Sequence, residues 1–147
     1  MATHQEEEQS AEDGIRANIA QIVEAINDKD LIKYGSLVTP DLVNMTKHGL
    51  EGELISTESR QTRLDELKTS FEGALYTSAI TMEASEIFAE GDRGFARIDG
   101  TVSLTPKQEK LSEFTQAVDL YLFYRKDKEH GWLTERSMAI MRPRSND

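Results

Sequence analysis

The apolar positions of this chain change period once, and the change divides it in two. Ile15, Ile19, Ile22 and Ile26 follow one another at spacings of four, three and four, with Val23 beside them, which makes one face of a helix. Ser10 and Asp13 in "SAED" have the spacing of a capping box and predict where that helix starts. "NDKD" then breaks the pattern. Asp30 is placed to cap a second, shorter helix carrying Leu31, Tyr34, Leu37 and Val38, which Thr39–Pro40 ends. "DLVNMT" reads as a short strand, followed by a loop with Gly49 and Gly52. A third helix, from about Thr57, presents Leu64, Leu67 and Phe71 on one face and stops near Gly73.

Beyond Gly73 alternation replaces the helical period. "SAITMEASEIFAEGDRGFARIDGTVSL" alternates around the turn "EGDRG", "TPKQEK" is the next turn, and "QAVDLYLFYRKDKEHGWLTE" supplies two more strands joined by a polar hairpin. Helices first and antiparallel strands afterwards predict an α+β domain with its helices on one face of the sheet. One strand is unusual. Ala117, Asp119, Tyr121 and Phe123 share one side, Val118, Leu120, Leu122 and Tyr124 the other, so both sides are apolar and one carries a single acid. One row faces the helices. The other is a patch of the kind that marks an association surface. Alternation alone does not say which row is which.

Composition narrows the class. At 147 residues the chain is one domain, without visible repeat or linker, and 37% hydrophobic with 30% charged residues is a soluble globular balance. The formal net charge is −10, and five of the acids (Glu6, Glu7, Glu8, Glu12, Asp13) lie in the first 13 residues, which hold no Lys or Arg. Residues 1–10 read as a mobile acidic tail and residues 11–147 as the single domain. An acidic body disfavours nucleic-acid binding. No apolar run has the length of a membrane helix, and the acidic start is unlike a signal peptide, so no membrane association is expected and cytoplasm is the expected address. With no cysteine and three dispersed histidines, no metal site is expected. Nothing resembles a glycine loop for phosphate, and no cofactor is implied.

Three segments carry a resemblance to the nuclear transport factor 2-like superfamily, a cystatin-like cone in which three N-terminal helices pack on a strongly bent, mostly antiparallel sheet. "IVEAINDKDLIKYGSLVTPDLVNM" is similar to that family's helix, break, short helix and strand entering the pocket. "EGDRGFARIDGTVSL" resembles its sheet-opening hairpin, and "AVDLYLFYRKDKEHGWLTERSMAI" its closing one. The SnoaL-like branch and the association domain of calcium/calmodulin-dependent protein kinase II look most similar. The resemblance implies a conical pocket for a small, partly apolar organic ligand and a homodimer formed through the outer sheet face. It also points the Asp119 row inward, which leaves Val118, Leu120, Leu122 and Tyr124 as the pairing surface. The pocket lining it implies is Ile19, Tyr34, Leu64, Phe71, Phe95, Arg97 and Tyr121.

The candidate chemistry follows from the same comparison. Asp119 stands to Phe123 much as an acid does in ketosteroid isomerases, which keep a carboxylic acid neutral in an apolar site; the plainer alternative is an aspartate paired with an arginine. Ile22 replaces that family's tyrosine, and Met45 or Thr46 its general base, so its activity is not expected. "ARID" places Arg97 and Asp99 like a limonene-epoxide hydrolase motif, with Asn44 where those enzymes have an asparagine, yet Met138 falls near the second acid. A cross-strand ion pair explains Arg97 and Asp99 as well. In the kinase association domain basic residues line the pocket, a part Arg97 or Arg136 would play here; Glu135 and Arg136 must face opposite sides. His48, after the strand entering the pocket, is a candidate acid–base group at a cone mouth or a solvated loop residue, and His130 lies in a turn. Three readings result: a small-molecule-binding protein; an isomerase, dehydratase or cyclase of a polyketide- or steroid-like substrate, with Asp119 as acid and His48 or Asp99 assisting; and an oligomerising assembly module.

Overall fold

The computed structural model describes residues 3–73 and 75–142. Three helices come first, α1 (His4–Asn27), α2 (Leu31–Ser36) and α3 (Arg60–Phe71), with strands β1 (Val38–His48) and β2 (Leu54–Glu58) between the last two. Then come β3 (Tyr76–Glu90), β4 (Arg93–Pro106), β5 (Phe114–Asp127) and β6 (Gly131–Met141). They form one six-stranded sheet in the order β2-β1-β6-β5-β4-β3. Neighbours are antiparallel except β1, which runs parallel to β6. The fold is α+β, with the N-terminal helices on one face of a curved sheet.

Val38, Thr39 and Pro40, expected at the end of the second helix, belong to β1, because α2 stops at Ser36; two further elements differ from their sequence expectation. The first helix begins at His4, not near Ser10. Thr3 Oγ1 accepts from the Glu6 N–H at 3.1 Å and the Glu6 carboxylate accepts from the Thr3 N–H at 3.2 Å, a complete capping box seven residues earlier. Glu6 and Glu7 in the first turn also complement the helix dipole. Residues 4–10 of the expected mobile tail are therefore helical; Met1, Ala2 and the His4 side chain lie outside the described residues. The second difference is the loop around Gly49 and Gly52, which is a hairpin connection. It joins a β1 of eleven residues to the five-residue β2, whose exposed Leu54 and Ile55 gave no alternation to recognise.

Helix α1 lies close against the sheet because glycines admit it. A Cβ on Gly14 would come within 2.5 Å of Trp132 Cδ1, and one on Gly94 within 2.6 Å of Ile15 Cδ1. One polar latch fixes its rotation. Buried Asn18 donates to the Leu37 and Trp132 carbonyls, each at 3.0 Å, and accepts from Thr134 Oγ1 at 3.1 Å. Ile15 and Ile19 pack with Ile98, Leu120, Leu122 and Tyr124 in one cluster. Ile22, Ile26, Tyr34, Leu42 and Leu67 form a second.

These clusters decide the faces of β5. Val118, Leu120, Leu122 and Tyr124 are buried under the helices, so the row expected to mediate pairing is the inner one. Ala117, Asp119, Tyr121 and Phe123 stand on the outer face. The wholly apolar row is the one that loses most by staying in water, and it goes inside.

Candidate functional site: a polar-ended apolar cavity

The curved sheet and the helices do not close completely on each other. Between α1, α3 and the inner sheet face lies a cavity of about 300 Å³, walled by Ile26, Leu67, Phe71, Ile80, Met82, Val102, Leu104, Val118 and Leu120. A narrower space of about 90 Å³ adjoins it and shares Ile26, Thr46, Arg63, Met82, Leu120 and Ala139 with it. Tyr34, Asn44, Thr134 and Ser137 belong to this inner end alone. The composite is mostly apolar, although Glu66, Ser70, Ser78, Thr81 and Thr101 also border its wide part, and its size is at the lower limit for small-molecule sites.

The polar end is assembled from four elements, β1, α2, α3 and β6, the last supplying Thr134 and Ser137. β1 contributes Asn44 and Thr46 on its inward face, with Asn44 paired in register to Ser137 of β6. Tyr34 comes from α2, which Asp30 caps by accepting from the Lys33 N–H at 3.0 Å. α3 brings Arg63, four residues before buried Leu67 and eight before Phe71, hence on the same helical face. Arg63 Nε donates to Tyr34 Oη at 3.3 Å and the guanidinium carbon lies 5.9 Å from the Tyr34 ring centre. Glu66 Oε1 is 3.7 Å from an Arg63 terminal nitrogen, while its other oxygen accepts from Thr57 Oγ1 at 3.0 Å. Asn44 is 7% exposed, and among the described residues nothing donates to or accepts from its side-chain amide.

Of the residues expected to line the pocket, Tyr34 and Phe71 do. Ile19 is buried in the core, and Leu64 packs beside the second cluster without reaching the cavity. Phe95, Arg97 and Tyr121 stand on the outer face with Asp119. Phe95 stacks on Tyr121 at 6.4 Å and meets Phe123 at 5.2 Å between ring centres. Asp119 takes a two-pronged ion pair from Arg142, whose Nε donates at 3.0 Å. That contact, with the charges of Arg142 and Arg97, holds the carboxyl below the ordinary aspartate value of 3.8, against a smaller opposing effect of burial. A desolvated neutral acid at Asp119 is thereby overturned, and the arginine-paired alternative is what the structure contains. Asp99 is 57% exposed by side chain and 3.7 Å from Arg142. His48 is exposed at the end of β1. His130 sits in the β5–β6 turn, Nδ1 2.7 Å from Asp127 Oδ2. Arg136 is exposed, and Glu135 instead meets Arg93 and Arg125. None of these reaches the cavity.

What sequence reasoning missed was Arg63 and the use of Asn44. The signal for Arg63 was present in its spacing to Leu67 and Phe71. Among the described residues no group of three metal-ligating side chains occurs, and no described helix is long and apolar enough to cross a membrane.

No protein-family model matches the sequence, and no curated protein matches it. Solved structures do. An NTF2-like protein with a cystatin-like fold from Novosphingobium aromaticivorans superposes with a TM-score of 0.75 at 15% identity, covering 90% of this chain and 82% of that one. A ketosteroid isomerase-like protein from Erwinia carotovora atroseptica gives 0.69 at 20% identity over 86% of this chain and 92% of its own. A type 2 hexachlorocyclohexane dehydrochlorinase gives 0.68 at 10% identity, covering 90% and 86%. The chain has the nuclear transport factor 2-like, cystatin-like fold. At these identities the likeness is one of fold, which hosts many activities.

Proposed function

We propose that the chain is a SnoaL-like small-molecule-binding protein of the cytoplasm, holding a partly apolar organic ligand in the cone and working as a homodimer. The observation that carries the binding reading is the cavity itself, mostly apolar in its wide part and with Arg63, Tyr34 and Asn44 at its inner end. For pairing, the support is the outer face of the sheet. Phe88 and Phe123 are 63% and 40% exposed there, in register through Phe95, and Tyr121 lies beside Met138. Such a row is a surface for a second copy.

A catalytic reading has two observations in its favour: Glu66 lines the cavity, and two relatives by fold are described as a ketosteroid isomerase-like protein and a dehydrochlorinase. Any acid–base step would rest on Glu66 and not on Asp119. Glu66 is already engaged by Thr57 and Arg63, which favours binding over turnover.

The test is a thermal-shift screen of small organic molecules against wild type and Ala139→Phe, since Ala139 borders both parts of the cavity. Hits that raise the melting temperature of wild type and not of Ala139→Phe support the reading. Hits unaffected by the substitution place binding elsewhere and reject it. Conversion of a hit to product, lost in Glu66→Gln, would replace binding with catalysis.

A further inference from the structure

The polar end of the cavity is unbalanced in one respect. It holds a cation and no carboxylate: the Arg63 guanidinium, which can only donate, stands among the Tyr34, Thr46, Thr134 and Ser137 hydroxyls and the Asn44 amide, which can donate or accept. The guanidinium spends one N–H on Tyr34 Oη, and that hydroxyl, having accepted, keeps its own proton to give. Asn44 is more than nine-tenths buried with its side-chain amide unpartnered. Among the described residues the fully enclosed polar atoms without a partner are Thr39 Oγ1 and Tyr124 Oη, so the Asn44 amide is not sealed off and faces cavity space that water or a ligand can occupy. The only carboxylate bordering the cavity among the described residues is Glu66, and it lines the wide part, not the inner end.

We propose that the inner end of the cone receives the carboxylate of a small monocarboxylic acid, held by the Arg63 guanidinium, the Tyr34 hydroxyl and the Asn44 amide, while the acid's apolar body fills the wide part. This rests on the reading that the cone binds an organic ligand, and it names the ligand class. A carboxylate has two oxygens with lone pairs in one plane, which match the parallel N–H groups of a guanidinium, and charge-assisted bonds of this kind are the strong ones. The apolar body is set by Phe71, Met82, Val102 and Leu120 and is that of a ring or short branched chain. Glu66 is the competitor. It stands 3.7 Å from Arg63, beyond hydrogen-bond length, with its side chain 42% exposed where solvent screens it, whereas the Arg63 side chain is 24% exposed. A bound carboxylate would take the guanidinium from Glu66.

The experiment is a calorimetric or NMR titration with three carboxylates, benzoate, cyclohexanecarboxylate and 3-phenylpropanoate, each beside the alcohol of the same skeleton. Wild type is expected to bind at least one acid about tenfold or more tightly than its alcohol. Arg63→Gln should erase that preference, the acid losing about tenfold more affinity than its alcohol, and Arg63→Lys should restore part of it. Glu66→Gln should strengthen the acid further, because the competitor is gone; a merely structural role for the Arg63–Glu66 pair predicts weakening in both variants. If acid and alcohol bind equally at the cavity, the carboxylate proposal is overturned and the binding reading stands. Binding of neither class overturns both.

Discussion

Asn44 and Asp119 are both polar residues in the middle of a strand, and the sheet treats them oppositely. Asn44 is buried with its amide open to the cavity; Asp119 is turned outward onto Arg142. The Asp119 carboxyl lies below its ordinary value. The Asp119–Arg142 pair therefore contributes stability above about pH 4, lost as pH falls through the lowered folded value. Asp119→Asn should accordingly lower the melting temperature slightly at pH 7, with the two curves converging in acid. Because the pair is partly exposed, the difference should also shrink in high salt. Melting curves across pH check this, and a pH-independent difference would count against it. Tyr124 is the opposite case. Its hydroxyl is fully buried with no hydrogen-bond partner among the described residues, and burial pushes the phenol well above its usual value, the neighbouring Thr134 hydroxyl offsetting only part of that. Tyr124→Phe removes a desolvated group without leaving a hole, so an unchanged or raised melting temperature is expected. Alternation left the choice between the two rows of β5 open, and the structure buries the row without a charge. The family comparison pointed the other way, and the Arg142 partner that settles it comes from beyond the last strand.

At the scale of elements, spacing predicted what packing uses. The four isoleucines of α1 are all buried, and Asp30 and Gly73 stand where α2 begins and α3 ends. Pairing across distance was not legible. The parallel contact of β1 with β6 joins residues about ninety positions apart, and nothing local announces it. The same is true of Asn18, which reads as an interruption of an apolar face and is in fact the latch between α1, the end of α2 and β6. Asn18→Leu would take the Asn18 partner from the Trp132 carbonyl and the Thr134 hydroxyl, while the Leu37 carbonyl keeps the Thr134 N–H, at a cost of about 2 kcal/mol. Urea unfolding measures this; a loss below about 0.5 kcal/mol would mean the latch is dispensable.

At the scale of the whole molecule, the helices cover the apolar face of the sheet, and the other face carries an aromatic patch among charged residues. The resemblance implies Phe95 and Tyr121 as cavity lining, yet with Phe123 and Phe88 they form an outer aromatic patch, the surface to mutate for assembly. Wild type is expected to sediment as a dimer at micromolar concentration and Phe123→Glu as a monomer with unchanged helix content. A monomeric wild type would contradict the pairing proposal. A ring larger than a dimer would favour the assembly-module reading.

The central claim is that the working surface is the inner cone and not the outer face. NMR shift mapping of backbone and Asn side-chain amides on adding 3-phenylpropanoate tests it most directly. The account predicts saturable shifts at the Asn44 side chain, Leu67, Val118, Leu120 and Ala139, with Asp119, Tyr121 and Phe123 unmoved. Shifts confined to the outer row, or none at the Asn44 side chain, would contradict it.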